Sequence, residues 1–243
     1  TYLFSGSVPT LLDAGTGEAG HLASLAASLG PQSLGQVLVT HAHADHIDGT
    51  DSLASRWPDA VFHKMPWPDR DREHSVGWKP IADGDVIQVG DGYVKAVHTP
   101  GHAPDHLCFY DEGSGTLFSA DLVVPGSTVV IPASHGGSLA QYLASLRRVQ
   151  EMSPARLLPA HGDAVDDPVP LLSAYIEHRR RREDQVVAVI RTGARRPEAI
   201  VSRLYEGLDP KLLGMAQESV TAHLVKLEEE GRARSNGGEW ELT

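Results

Sequence analysis

The sequence predicts an α/β fold over residues 1–170, followed by a small, mostly helical domain over residues 171–243. In the first part, short apolar β-like runs alternate with Gly, Asp and Pro turns. Helical stretches interrupt those runs at 20–29, 44–57 and 139–152. After residue 170 the β-like runs give way to helical periodicity. With 41% hydrophobic residues, a chain of 243 residues is long enough to bury a core.

The β-like runs look like antiparallel strand groups with helices between them. Each run is a few residues long and is bounded by turn-forming residues. The predicted strands lie at 3–4, 11–12, 37–40, 61–62, 86–89, 93–98, 107–110, 117–121 and 156–160.

The predicted second domain contains three helices and a hairpin. Helical periodicity covers 169–191, 197–205 and 217–230, with Pro197 near the first turn of the second helix. The hairpin covers 232–242 and turns at an Asn-Gly-Gly sequence. These are the elements of a winged helix.

A cluster of metal-binding residue types follows the apolar run at 37–40. It is His41-Ala42-His43-Ala44-Asp45-His46, which places four candidate ligands in six positions. Imidazole nitrogen and carboxylate oxygen are ligands that Zn²⁺ accepts, and ligands one residue apart at a strand end can converge on one ion. Because neighbouring side chains rarely all face one point, the cluster indicates parts of two metal sites.

Three further candidates follow predicted strands downstream. His102 comes after the run 93–97, Asp121 after 116–120, and His161 after 156–160. If these strands end on one edge of their sheets, the side chains gather there, where sites in α/β proteins usually form.

These residues resemble the signature of the metallo-β-lactamase superfamily, His-x-His-x-Asp-His followed by a His, an Asp and a His. The resemblance implies an αββα sandwich followed by a small, mostly helical winged-helix domain. It also implies that His41, His43 and His102 hold one metal, that Asp45, His46 and His161 hold the second, and that Asp121 bridges them. Two Zn²⁺ per chain are expected, with Mn²⁺ or Fe²⁺ as alternatives in the second site.

The mechanism that follows from this resemblance is hydrolysis by a hydroxide that the two ions share, with Asp45 and Asp121 as the catalytic carboxylates. Within the superfamily, the chain is similar to the branch that includes β-lactamase-like protein 2, an endoribonuclease, and fungal polyketide thioesterases. Thr99-Pro100-Gly101-His102 and the helix sequence at 175–179 carry that likeness. One departure is Ala160 before His161, where the family usually has Gly.

Three residues near the predicted ligands have two interpretations each. Asp105 and His106 either orient a ligand imidazole or belong to an ordinary turn capped by the Asp. His135, in a Gly-rich loop, either contacts the substrate or leaving group or is an exposed loop histidine. The remaining histidines are predicted to be structural or at the surface, and the lone Cys108 to pack in the core.

The distribution of charged residues along the chain indicates which binding partners to expect. Residues 1–170 carry 9 Lys and Arg against 20 Asp and Glu, and residues 171–243 carry 12 of each, so the first part holds the whole net charge of −11. This is a poor electrostatic footprint for nucleic acid. The basic block at 179–182 is either a phosphate or RNA contact or a solvated helix face paired with Glu177, Glu183 and Asp184.

The winged helix is predicted to be a packing or dimerisation module rather than a DNA reader. Its presumed third helix carries Lys226 as its only Lys or Arg, together with four Glu residues. A homodimer is therefore one expected partner arrangement, whereas DNA is not an expected partner.

The sequence favours a hydrolase acting on a small acyl substrate, namely a thioester, an ester or a β-lactam. The alternatives are a metal-dependent endoribonuclease with RNA as its partner, and a nucleic-acid-binding regulator that uses its winged helix. No apolar run approaches the roughly 18 residues of a membrane span, and a cytoplasmic location is expected. Because the first residue is Thr rather than Met, a secretory signal before it is left open.

Overall fold

The computed structural model describes residues 1–243, which form two compact units. The first unit comprises Thr1–Thr99, Pro104–Ala120 and Pro154–Asp166. The second comprises Pro100–Ala103, Asp121–Ser153 and Asp167–Thr243. None of the helices combines the length and the apolar character that crossing a lipid bilayer requires.

Ten short strands form two five-stranded sheets in the first unit. Strands β1 to β5 make the first sheet in sequence order, and they span Tyr2–Phe4, Thr10–Leu12, Gln36–Val39, Val61–Lys64 and Trp78–Pro80. The second sheet has the order β10-β9-β8-β7-β6. In chain order its strands β6 to β10 span Val86–Val89, Gly92–His98, Leu107–Asp111, Thr116–Ala120 and Arg156–Pro159.

The two sheets face each other across a shared apolar core. Leu12 and Leu38 of the first sheet pack in one cluster with side chains of the second sheet that include Val94, Leu107 and Phe109. This arrangement confirms the predicted sandwich of two sheets. Four helices of the first unit, α1 to α4, span Ala19–Leu29, Ala44–Ile47, Thr50–Arg56 and Pro68–Asp71. Strand β5 and helix α4 were not among the predicted elements.

The expectation of antiparallel strand groups is wrong for most of the first sheet. Only β1 and β2 pair antiparallel, whereas β2, β3, β4 and β5 are parallel neighbours. Helix α1 connects β2 to β3, and helices α2 and α3 connect β3 to β4. Parallel neighbours need such long crossover connections, so the helices between the predicted strands were the sign of parallel pairing.

The helix predicted at 44–57 is interrupted between α2 and α3. A Cβ atom on Gly49 would lie 2.2 Å from the carbonyl oxygen of Ala14, so this backbone passes against the loop after β2 with no room for a side chain. The Gly49 amide donates to the Gly15 carbonyl (2.8 Å), and the Ala14 amide donates to the His46 carbonyl (2.8 Å). These contacts fix α2, which carries Asp45 and His46, against the end of β2.

The second unit is mainly helical. Helices α5 to α8 span Leu139–Met152, Pro168–Arg191, Pro197–Leu204 and Leu213–Glu229, and the strands of the hairpin, β11 and β12, span Ala233–Asn236 and Glu239–Leu242. Residues of α6, α7, α8 and the hairpin share one buried apolar cluster. This confirms the predicted winged-helix elements. Helix α8 begins four residues before the predicted position 217, because the exposed Leu213 and Met215 obscure its apolar period.

Helix α6 begins at Pro168 and therefore runs across position 170, where the sequence predicted a domain boundary. That boundary remains a proposal. Since α6 is continuous there, residues on both sides of position 170 belong to one rigid helix.

A buried histidine lies between the helices of the second unit. His223 on α8 is fully buried, and neither ring nitrogen makes a hydrogen bond. Burial, together with the positive charges of Arg179, Arg182 and Lys226, lowers the pKa of this imidazole from 6.5 to about 3. The folded protein therefore keeps His223 neutral across the mildly acidic range.

We expect the free energy of unfolding to decrease as the pH is lowered from 6.5 towards 3. In that window the unfolded chain binds a proton at His223 that the folded protein does not bind, which lowers stability by about 1.4 kcal/mol per pH unit. Chemical denaturation of the wild type and of His223→Gln at about pH 7.5 and about pH 5 measures the effect.

The wild type should lose roughly 2 kcal/mol relative to His223→Gln between these two conditions. His74→Gln, a histidine of the first unit, is the matched control for the loss of an imidazole. A difference between the wild type and His223→Gln that stays constant with pH would contradict a buried neutral histidine at this position.

Candidate metal centre

The candidate site begins where β2 and β3 end. These strands are parallel, so Asp13 after β2 and Thr40 after β3 emerge at the same edge of the first sheet. The Leu107 amide at the start of β8 donates to the Thr40 carbonyl (2.9 Å), which joins the second sheet to the first at this edge. The predicted ligands of the first unit lie beside this junction.

One buried carboxylate organises this edge. Asp13 is 5% exposed and takes the left-handed backbone conformation (φ +64°), which is uncommon for a residue other than glycine. Its Oδ1 accepts from the Thr40 amide (2.8 Å), and its Oδ2 accepts from the Thr40 hydroxyl (3.0 Å). The same Oδ2 accepts from Nδ1 of His46 (2.7 Å).

These hydrogen bonds set the orientation of two histidines. Since Nδ1 of His46 donates to Asp13, its Nε2 is the ring nitrogen on the side of Asp45, 3.6 Å from Oδ2 of that residue. Because the Thr40 hydroxyl donates to Asp13, it accepts from Nδ1 of His41 (3.0 Å). Nε2 of His41 then lies 3.0 Å from Nδ1 of His43. The hydrogen bonds to Asp13 and Thr40 thus fix the ring orientations of His46 and His41.

A second group of donors in the first unit comprises Asp45, His46 and His161. Their ligand atoms all lie within 4.8 Å of one another. Oδ2 of Asp45 is 3.1 Å from Nε2 of His161 and 3.6 Å from Nε2 of His46. His46 is buried, whereas the side chains of Asp45 and His161 are about half exposed. Two nitrogens and a carboxylate oxygen at this spacing form a donor set that suits Zn²⁺, Mn²⁺ or Fe²⁺.

Strands β9 and β10 deliver residues to their ends in the same way. They are parallel, and the Ala160 amide donates to the Ala120 carbonyl just past the last paired residues (3.0 Å). Ala120 has a positive φ of 44°, which turns the chain sharply at the end of β9. The peptide bond after Ala120 leads directly to Asp121, where the second unit resumes.

The second unit contributes His102 and Asp121. Nε2 of His102 lies 3.5 Å from Oδ2 of Asp121, and both side chains are largely buried. Nδ1 of His102 donates to the Val130 carbonyl (2.8 Å), so its Nε2 is the nitrogen directed at Asp121. Of the seven predicted ligands, five belong to the first unit and two to the second.

The segment that carries His102 packs tightly on α5. A Cβ atom on Gly101 would lie 2.3 Å from the backbone nitrogen of Tyr142, and the φ of Gly101 is +133°. The Pro100 carbonyl accepts from the Ser145 hydroxyl (2.8 Å), and the Gly101 carbonyl accepts from the Ser138 amide (2.8 Å). Only glycine fits at position 101, which explains its place in the Thr-Pro-Gly-His sequence.

Asp105 forms an ion pair with Lys64, which neither of its two interpretations included. It is 1% exposed, and its Oδ2 accepts from Nζ of the equally buried Lys64 (2.7 Å). Burial raises the pKa of Asp105, while Lys64 acts in the opposite direction. Lys64 also lies 2.8 Å from Oδ1 of Asp71. Asp105 is thus part of a buried ion pair, and both of its interpretations, the orientation of a ligand imidazole and the capping of a turn, remain predictions.

His106 and His135 are held by neighbouring hydroxyl groups. Nδ1 of the fully buried His106 lies 2.8 Å from Oγ1 of Thr99, and its ring centroid is 5.2 Å from that of His41. Nδ1 of the exposed His135 lies 2.8 Å from Oγ of Ser134. The Ser134 hydroxyl in turn donates to Oε1 of Glu218 on α8 (2.6 Å). A role for His106 in orienting a ligand imidazole and a role for His135 at the substrate remain predictions.

The basic block at 179–182 is not a uniform solvated face. Arg180 and Arg181 lie at 2.9 Å and 3.7 Å from Glu177 and are exposed, as that interpretation expected. Arg179 is only 3% exposed, and its guanidinium donates to the Val129 carbonyl. The solvated interpretation is therefore wrong for Arg179, because this residue lies on the inner side of α6.

Sequence reasoning missed three buried charged residues, namely Asp13, Lys64 and Arg179. Asp13 directly follows a predicted strand, so the rule that found the ligands also applied to it. Lys64 and Phe62 lie two positions apart on the buried side of β4, so the period of two along a strand places Lys64 inside. Arg179 lies four residues after Tyr175 on the same face of α6.

Two family descriptions match the chain. The metallo-beta-lactamase superfamily matches residues 1–161, and the beta-lactamase associated winged helix domain matches residues 197–240. A beta-lactamase-like protein 2 homolog of Drosophila melanogaster is 31% identical over 252 residues, which cover 96% of this chain and 83% of that protein.

Two further proteins are similar to this chain. An atrochrysone carboxyl ACP thioesterase of Aspergillus fumigatus is 33% identical over 190 residues, which are 74% of this chain but 41% of that protein. A metallo-beta-lactamase family protein from Thermus thermophilus has a crystal structure with a TM-score of 0.85 and 21% identity. The alignment covers 100% of this chain and 93% of that one, and at this identity it shows the fold.

The family match over residues 1–161 and the relative that is 31% identical over nearly the whole chain agree with the sandwich and its strand-end histidines. The chain belongs to the metallo-β-lactamase superfamily, as a metal-dependent hydrolase with a C-terminal β-lactamase-associated winged-helix domain.

Proposed function

We propose that this chain is a binuclear metal-dependent hydrolase of small acyl substrates, with thioesters as the first choice. The observation that carries the proposal is the preset orientation of the candidate ligands. Asp13, acting partly through Thr40, directs a ring nitrogen of His41 and of His46 towards neighbouring donors. Such support of ligand imidazoles is typical of metal sites.

The proposed ligand sets follow the order of the family signature. His41, His43 and His102 would hold one ion, Asp45, His46 and His161 the second, and Asp121 would lie between the two. The close approach of Asp45, His46 and His161 supports the second set. The 3.0 Å separation between His41 and His43 supports the first. Every donor is an imidazole or a carboxylate, which suits zinc at both positions and manganese or iron at the carboxylate-containing one.

The protein residues have separable tasks in this proposal. Bound divalent ions would supply a nucleophile at neutral pH and polarise the substrate oxygen. The Asp13 carboxylate fixes the orientation of the imidazoles. The Asp45 side chain is half exposed and is therefore the carboxylate of the set that solvent reaches. The buried Asp121 places its Oδ2 3.5 Å from Nε2 of His102.

Charge and relatives favour an acyl substrate over RNA. The net charge of −11 lies in residues 1–170, and Arg180 and Arg181 of the basic block already pair with Glu177. A curated relative is named as a carboxyl ACP thioesterase, and ACP thioesters are acyl substrates. A cavity of about 480 Å³ in the second unit, between the loop 126–128 and α6, combines the apolar Leu171, Ala174 and Tyr175 with the polar Ser127, His178 and Arg181. Its apolar side suits an acyl chain.

The second candidate function is an endoribonuclease. It is favoured by the similarity to a beta-lactamase-like protein 2 homolog over 96% of the chain, because that branch of the superfamily includes an endoribonuclease. A DNA-binding regulator is not proposed. Helix α8, the third helix of the winged helix, carries acidic residues at 218, 228 and 229, which would repel a phosphate backbone.

Removal of single ligands tests the metal centre. We expect His43→Ala and Asp121→Ala to lower kcat/KM by more than about 100-fold, because even the partners of metal ligands contribute 10- to 100-fold. Metal content per chain, measured by plasma mass spectrometry, should fall in both variants while the circular dichroism spectrum is retained. His63→Ala and Asp163→Ala are matched controls outside the ligand sets. Normal turnover by either ligand variant would refute the assignment.

Substitution of Asp13 tests the orientation of the imidazoles separately from ligation. Asp13→Asn keeps the shape of the side chain but replaces one acceptor oxygen with a donor, so His41 and His46 lose their common anchor. We expect the affinity for Zn²⁺, measured by competition with a chromophoric chelator, to fall by about 10- to 100-fold. Asp91→Asn changes an exposed carboxylate that accepts from the Ser7 amide, and it should leave the affinity for Zn²⁺ unchanged. Equal affinities of Asp13→Asn and the wild type would remove the role given to Asp13.

A panel of substrates separates the candidate functions. The zinc-loaded protein is assayed in parallel with acyl-coenzyme A, an acyl-N-acetylcysteamine thioester, nitrocefin and single-stranded RNA. We expect thioester hydrolysis that a chelator abolishes and that Asp121→Ala lacks. Cleavage of RNA alone, lost in Asp121→Ala, would instead establish the endoribonuclease.

A further inference from the structure

The loop that follows Asp121 is held by side chains of α5 and α6 within the second unit. The Leu122 carbonyl accepts from the Tyr142 hydroxyl (2.7 Å). The Tyr175 hydroxyl accepts from the Val124 amide (2.9 Å) and lies 2.7 Å from the Val124 carbonyl. The Val129 carbonyl accepts from Nη2 of Arg179. The backbone between Asp121 and Val130 is therefore anchored at three places.

The same loop orients a candidate ligand. Val130, the residue after the one that Arg179 binds, accepts from Nδ1 of His102 (2.8 Å). The Val129 and Val130 carbonyls belong to consecutive peptide planes that meet at the α-carbon of Val130, so the placement of the first plane fixes the point from which the second begins. The position of His102 thus depends on how Val129 is held.

Arg179 is buried more deeply than its neighbours on α6. It is 3% exposed, and its guanidinium carbon lies 5.4 Å from the centroid of the Tyr142 ring. Burying a charge is unfavourable unless the charge has well-placed partners. Here the partners are a loop carbonyl and the face of the aromatic ring whose hydroxyl holds Leu122, the residue after Asp121. Arg179 therefore contacts the loop near both of its ends. Near Asp121 it packs on the Tyr142 ring, whose hydroxyl donates to the Leu122 carbonyl. Near Val130 it donates to the Val129 carbonyl.

We propose that Arg179 is a positioning residue for the two candidate ligands of the second unit, His102 and Asp121. It holds His102 through the carbonyls of Val129 and Val130, and it holds Asp121 through the Tyr142 ring and Leu122. The winged-helix part of the chain then has a task at the metal centre that requires no contact with nucleic acid, because α6 leads directly into it. This inference rests on the metal-dependent function proposed above.

The test uses the full chain and reads metal binding directly. Metal-free wild type, Arg179→Met and Arg179→Lys are titrated with Co²⁺ and Zn²⁺ well below their melting temperatures. The number of ions per chain, their affinities and the visible absorption of bound Co²⁺ are measured. Arg180→Met is the matched control, since it removes an equal side chain from the exposed side of the same helix.

We expect two ions per wild-type chain and, in Arg179→Met, one of them bound at least about tenfold more weakly with an altered Co²⁺ spectrum. Arg179→Lys should lie between the two, because an ammonium lacks the planar fork of a guanidinium. The thioester kcat should fall in both variants with KM within about twofold of the wild type. Arg180→Met should match the wild type in every measurement.

The outcomes distinguish this inference from the function on which it rests. A wild-type chain that binds no metal overturns both. Two ions in the wild type, together with wild-type affinity and spectrum in a folded Arg179→Met, overturn this inference alone. If Arg179→Met does not fold, Arg179→Lys decides, and wild-type affinity and spectrum in that variant overturn the inference.

Discussion

The arrangement of the strand ends in the first unit depends on the hydrogen bonds that one buried carboxylate, that of Asp13, accepts. Asp13 receives hydrogen bonds from the Thr40 amide, the Thr40 hydroxyl and His46, and these hold the ends of β2, β3 and α2 together. A carboxylate in so buried a place is stabilised only while its donors are present. The fold and the site therefore constrain each other, since the groups that satisfy Asp13 are the groups that orient the candidate ligands.

Much of the fold and the candidate ligand set could be predicted because both have local sequence patterns. The helix at Leu139–Met152 was predicted at its observed bounds, and in the structure the Ser138 side chain caps its start. The ligand residues could be located because each follows an apolar strand, and strand ends place side chains at one edge of a sheet. The family resemblance then divided them into sets, which spacing alone does not do.

The parts that were not predicted depend on contacts between distant segments. The break at Gly49 comes from the approach of the Ala14 carbonyl, 35 positions earlier in the chain, and helical periodicity carries no trace of it. Lys64 meets Asp105 across 41 positions, and Arg179 meets Val129 across 50. Lysine and arginine are ordinary residue types at exposed positions, so the types of Lys64 and Arg179 carry no sign of their burial. Only the tertiary partner makes a buried charge acceptable there.

The path of the chain between its two units affects how such a protein can change over time. The second unit takes in Asp121–Ser153 from the middle of the sequence as well as everything after Asp166. A gene that ended near position 170 would still encode all seven candidate ligands, yet it would lack Tyr175 and Arg179, which hold the loop after Asp121. The parts of the chain before and after position 170 are thus expected to stay together in evolution. An exchange of the winged helix for another domain would have to retain α6.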